Sequence, residues 1–162
     1  MDMIKKDDLL AILRKEFETT KRVMRAYPSD QFGYRPHERS SDARKLMSTF
    51  VFEMYLLKAH ILGETIEVSR YTEYKPNDTE TVLHDFEKES AETLQGIEQM
   101  TDEDLTKAIS FAGKDFTGHS FILMMLFDQI HHRGQLTVYV RLAGGKVPSV
   151  YGPSADDTNT NL

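Results

Sequence analysis

Four stretches of the chain place apolar residues at the spacing of one helix face. In the first, about Lys6 to Ala26, the positions Ile4, Leu9, Leu13, Phe17 and Met24 fall close to one side of a 3.6-residue period. The pattern stops before Tyr27-Pro28, since a residue preceding proline avoids the α region. A loop with Gly33 and Pro36 follows, and Ser40 or Ser41 is expected to cap a second helix, about Asp42 to Leu62, that ends at Gly63 in a left-handed turn. Glu64 to Pro76 is a polar connection. Asn77 or Asp78 caps a third helix running to about Met100, and Asn77 with Glu80 has capping-box spacing. Between Thr101 and Gly118, the run Ile109-Ser110-Phe111 and a Gly113-Lys114 turn predict a small β-hairpin. The last helix runs from about His119 to Ala143, is ended by Gly144-Gly145, and leads into a polar tail whose final residues are expected to be mobile. The pattern predicts an all-α protein, a four-helix bundle with a small hairpin before its last helix.

Composition narrows the picture without changing it. At 162 residues the chain fits a single domain, residues 1–162, large enough to fold without disulfides or metal. Lys and Arg total 20 against 26 Asp and Glu, a net charge of −6, which weighs against nucleic-acid binding. Cysteine is absent, so thiol nucleophiles and Cys-ligated zinc are excluded. The start has no apolar signal-peptide core, and the longest apolar run, Phe121 to Phe127, is too short to cross a bilayer. A soluble, cytoplasmic protein with no membrane partner is expected.

The last helix carries the most informative signal. Phe121, Met125, Asp128, His132, Gln135, Tyr139 and Leu142 follow alternating steps of four and three, which predicts one inward seam, apolar at its ends and polar in its middle. Polar groups on a core seam need partners. Three readings stand: a metal site on the i, i+4 pair Asp128 and His132, an Asp–His acid–base pair, or a buried hydrogen-bonded pair that sets helix register. His131 is rotated about 100° from His132 and is expected to bond a neighbouring helix or loop. Gly134 is expected where the last helix approaches a neighbour closely. Arg133 and Arg141 are expected to pin the tail against the bundle.

The run HHRGQLTVYVRLAGGKVPSVYGPSADD, His131 to Asp157, together with FGYRP (Phe32 to Pro36) and the helix entry Ser41 to Leu46, resembles the DinB/YfiT-like family. The resemblance implies a four-helix bundle with a long crossover and a homodimer. It also implies a divalent ion, commonly nickel or zinc, on three histidines, with metal-dependent hydrolysis or S-transfer of low-molecular-weight thiols as the associated activities. Matched by position, those histidines fall on Thr49, Asp128 and His132, so one of three is kept. Thr49 is a weak ligand. Glu53, one turn further along the second helix, could reach an ion held by Asp128 and His132, and a set of two carboxylates and one imidazole suits Mn or Fe as well as Zn or Ni.

The Phe32–Pro36 loop and the tail around Tyr151 are expected to line the mouth of the site. No catalytic residue is assigned, and the substrate expected is a small molecule or thiol. The competing reading is a non-enzymatic, stress-associated binding or structural dimer that has lost the metal.

Overall fold

The computed structural model describes residues 4–67 and 69–157. The expected mobility of the tail end concerns positions 158–162, outside the described residues. Four long helices, α1 (Lys6–Arg25), α2 (Ala43–Leu62), α4 (Thr79–Gln99) and α5 (Gly118–Leu142), form the bundle. A single helical turn, α3 (Ser69–Thr72), sits in the crossover between α2 and α4. An antiparallel hairpin, β1 (Ala108–Phe111) and β2 (Lys114–Thr117), precedes α5. Around the bundle the order is α1, α4, α2, α5, so α1 and α2 stand diagonally opposite. Among the described residues no helix is long and apolar enough to cross a membrane.

Local chemistry sets the ends of these elements. Asp42, and not Ser40 or Ser41, caps α2: its Oδ1 accepts from Lys45 N at 2.8 Å. A carboxylate here also meets the positive end of the helix dipole. Gly63 closes α2 with φ 69°, the left-handed cap expected. Asp78 caps α4 by accepting from Thr81 N at 2.7 Å, which shifts the cap one residue past Asn77 and leaves the Asn77–Glu80 box unformed. Thr117 and Ser120 make the reciprocal capping box of α5.

The hairpin turns on Ala112-Gly113, one position earlier than expected, because Phe111 pairs with Lys114. Ala112 (φ 51°) and Gly113 (φ 76°) are both left-handed, as a two-residue primed turn requires. Alanine is strained there, and asparagine tolerates it better. Ala112→Asn is expected to raise stability by about 0.5–1 kcal/mol in urea unfolding, with no change in secondary structure.

The core is a chain of aromatic rings in a bed of leucine and methionine. Phe17 of α1, Phe86 of α4 and Phe50 of α2 meet edge-on at 6.1 and 6.3 Å, the arrangement that ring quadrupoles favour. Phe50 then meets the His132 ring edge-on at 6.4 Å, joining the core to the polar face of α5. α2 and α5 run antiparallel. Tyr139 Oη donates to Ser41 O at 2.9 Å at one end, His132 meets Glu53 near the middle, and Phe121 packs on His60 at the other.

The expected inward seam of α5 holds in its first turns, where Phe121 and Met125 are buried, and fails from Asp128 onward. Ile122, Leu126, Gln129, Arg133, Leu136 and Val140 are buried, whereas Asp128, Gln135 and Leu142 are exposed and His132 is half-buried. The true seam is rotated by one residue, about 100°. Arg133 occupies it because α1 supplies Glu16: the guanidinium donates to Glu16 Oε2 at 2.6 Å, Glu16 O at 3.0 Å and Thr20 Oγ1 at 3.2 Å, and also to Tyr151 Oη. Arg141 binds Asp156 at 2.8 Å, so both arginines tie the tail down. Gly134 has no neighbour where a Cβ would stand and lies on the exposed side, so close helix approach does not explain it.

Candidate functional site

The rotation of α5 places Asp128 and His132 on its flank, facing α2 across an open trough. Glu53 reaches them from α2. Ligand atoms of Glu53, Asp128 and His132 all lie within 4.8 Å of one another. His132 Nε2 is 3.3 Å from Glu53 Oε1 and 3.7 Å from Asp128 Oδ1. The three residues singled out from sequence therefore meet. Thr49 also borders the trough, but its hydroxyl donates to Lys45 O at 3.0 Å, within its own helix. His60 packs on Phe111 and Phe121, away from the trough lining.

Gln135 orients the imidazole. Its amide nitrogen lies 3.0 Å from His131 Nε2, and its Oε1 lies 3.0 Å from His132 Nδ1. With the amide donating to His131, the oxygen accepts from His132 Nδ1–H. That assignment leaves an Nε2 lone pair facing the carboxylates, the tautomer in which a histidine ligates a metal. His131 thus bonds within α5 and borders the same trough, instead of reaching another helix or loop. The trough is wide enough to meet two adjacent faces of one helix.

Glu53 is the electrostatic anomaly. It is buried, no fixed donor reaches either carboxylate oxygen, and the one hydrogen bond open to it, with the Asp128 carboxyl, needs a proton between the two. Burial pushes its carboxyl up to about 9, and the neighbouring Asp128 charge pushes the same way. An ionised carboxylate in this position needs a positive neighbour. Among the three groups, Glu53 Oε1, Asp128 Oδ1 and the His132 lone pair are all acceptors. Either a proton on Glu53 or a cation among them relieves the conflict, so the donor set fits a divalent ion.

The trough has a volume of about 600 Å³ and lies between α2 and α5. Phe52 and Leu56 of α2, Phe111 of β1, and Met124, Met125 and Phe127 of α5 form its apolar walls. The β-hairpin thus supplies the wall that was expected from the Phe32–Pro36 loop and Tyr151. Neither of those segments borders the trough. The loop is bound to the start of α2, through Ala43 N to Tyr34 O and Arg44 N to Phe32 O, both 2.9 Å, roughly 14–15 Å of helix from Glu53. Tyr151 is held by Arg133 and Glu16. A smaller cavity of about 150 Å³ lies beneath the crossover on the far side of Phe52. Arg70 pairs with Glu89 at 2.8 Å and Tyr74 Oη donates to Asp85 at 2.7 Å across it, so most of its polar lining holds the crossover in place.

A helical bundle with a crossover, a hairpin before its last helix and a carboxylate–histidine cluster between two helices defines the class. The chain belongs to the DinB family, whose model matches residues 3–161. It is 31% identical over 121 residues to the uncharacterized protein YjoA of Bacillus subtilis (strain 168), covering 71% of this chain and 75% of that one. It is 32% identical over 83 residues to the uncharacterized protein YrdA of the same organism, a match spanning 51% of this chain and only 50% of YrdA. In three dimensions it resembles a DinB-like protein from Bacillus cereus, with a TM-score of 0.80 at 23% identity over 90% of this chain and 97% of that one. The structure of YjoA gives 0.68 at 22% identity over 93% and 99%. The structural likenesses establish the fold.

Proposed function

We propose that Glu53, Asp128 and His132 hold a divalent cation, and that the protein is a metal-dependent hydrolase or low-molecular-weight-thiol S-transferase working at the α2–α5 trough. The observation that carries this reading is the buried Glu53 carboxylate, with no donor of its own unless it shares a proton with Asp128, beside two further acceptors. One imidazole and two carboxylates suit Mn, Fe, Zn or Ni. A divalent ion supplies Lewis acidity that makes a water or thiol proton easier to lose near neutral pH. The chain's own contribution is to fix the imidazole through Gln135 and to keep Glu53 out of water. Gln135→Ala is expected to weaken ion affinity by about 10- to 100-fold, read by calorimetric titration.

Asp128→Ala separates this proposal from a non-enzymatic binding protein. Under the enzyme reading it removes bound metal and any hydrolytic or thiol-transfer turnover together. Under the binding reading it leaves function intact and changes stability by less than about 1 kcal/mol, since the Asp128 side chain is 55% exposed. The proposal includes a cytoplasmic homodimer. Exposed Val138 and Leu142 on α5 offer apolar surface for a second copy, and sedimentation reads the oligomeric state.

A further inference from the structure

The trough has a chemical bias of its own. Its walls are aromatic, leucine and methionine side chains, and none of its lining residues is Lys or Arg. Of its uncharged polar groups, the Thr49 hydroxyl hydrogen goes to Lys45 O and His131 Nε2 to Gln135, which leaves few polar atoms for a ligand. Two carboxylates cancel the charge of a divalent ion, so even a loaded site offers little net attraction for an anion, in a chain of net charge −6. The volume, about 600 Å³, falls within the roughly 300–1,000 Å³ of small-molecule sites. Phe127 stands 64% exposed on the trough lining, an aromatic face for a ligand to cover, and Met124 and Met125 adapt their shape to what they contact.

We infer that this trough binds an uncharged, mainly apolar small molecule, an acyl chain or aromatic ring, with its polar end toward Glu53, Asp128 and His132, and that it disfavours anionic ligands, carboxylated thiols among them. Calling that molecule a substrate rests on the proposed function; its binding does not. Of the two activities proposed, hydrolysis of an apolar substrate fits the lining better than transfer of an anionic thiol.

The test is a fluorescence titration of the metal-loaded protein with N-phenyl-1-naphthylamine, an uncharged apolar probe. It is followed by displacement with octan-1-ol or with octane-1-sulfonate, an anion of equal chain length that ligates metals poorly. The expected result is saturable binding, with octan-1-ol displacing the probe at least tenfold more effectively. Phe127→Ser, at an exposed position that leaves the fold intact, is expected to weaken the probe at least threefold, and Met124→Asp more so. No saturable binding, equal or better displacement by the sulfonate, or unchanged binding in both variants would overturn the inference. Wild-type protein titrated with the probe before and after removal of the ion by EDTA keeps the two claims apart: the probe is expected to bind the metal-free protein as well. Absence of any ion before chelation would sink the metal reading, while the displacement series still decides the ligand class.

Discussion

Replacing Arg133 with alanine lowers the free energy of unfolding by about 3–5 kcal/mol, the largest stability effect expected in this protein. The guanidinium is 2% exposed and joins three parts of the chain: Glu16 and Thr20 on α1, its own helix α5, and Tyr151 in the tail. Its loss leaves the Glu16 carboxylate, 9% exposed, with the Tyr151 hydroxyl at 2.8 Å as its remaining donor in this network. Most of the cost is that stranded charge. The double variant Glu16→Leu with Arg133→Met removes both charges and keeps apolar volume, so it recovers most of the loss. Tyr151→Phe removes only hydrogen bonds at a partly exposed site and costs about 1 kcal/mol. Urea unfolding of these three variants beside wild type checks this ordering. A double variant no more stable than Arg133→Ala would show that the network, and not the unpaired charge, sets the cost.

Glu53→Gln has two large effects of opposite kind. Without metal it stabilises the protein at alkaline pH, and with metal it removes the ion. The folded carboxyl is raised from 4.5 to about 9, chiefly by burial. Between those values the folded chain keeps a proton that the unfolded chain releases. Stability contributed by this group is therefore fully present below pH 4.5 and is lost as pH rises toward 9. At about 1.4 kcal/mol per pH unit, the slope is measurable over two units. Metal-free wild type should thus lose stability from pH 5 to 9, and Glu53→Gln, neutral throughout, should lack that component. A divalent ion reverses the sign, because it requires ionised Glu53. Ion binding at pH 7 then releases about one proton, which calorimetry in buffers of different ionisation enthalpy detects. At 100 times its Kd the ion adds about 2.7 kcal/mol to wild type and far less to Glu53→Gln. Equal pH slopes for the two metal-free proteins would contradict the assignment of Glu53.

What could be read in the sequence follows the range of the interactions involved. Helix ends at Gly63 and Asp78 were legible because caps act over three or four residues. Glu53 was found for a similar reason: one turn from Thr49, it shares a helix face with the position the family resemblance marked. The inward seam of α5 is legible at Phe121 and Met125 and misleads from Asp128 onward, because two stripes one residue apart both satisfy the spacing. The stripe through Gln129 and Arg133 has polar residues where a core needs apolar ones, and it takes the Glu16 carboxylate, 117 positions away, with Thr20 and Tyr151, to make Arg133 acceptable there. No local pattern reports such a partner. The trough's hairpin wall was hidden likewise: Phe111 was recognised as part of a strand, but its packing on His60 and Phe121 depends on how the hairpin folds back onto α5. Gln135 was visible as a polar member of the stripe, and its bond to His132 needed only the i, i+3 spacing.

The central claim is that Glu53, Asp128 and His132 hold a divalent ion. Metal content by mass spectrometry, on untagged wild type and His132→Ala prepared side by side, tests it most directly. About one equivalent of Mn, Fe, Zn or Ni per chain in wild type, lost in the variant, is the predicted result. No ion in either protein after incubation with each of these metals would contradict the account, and would leave Glu53 as a buried, protonated acid beside a histidine.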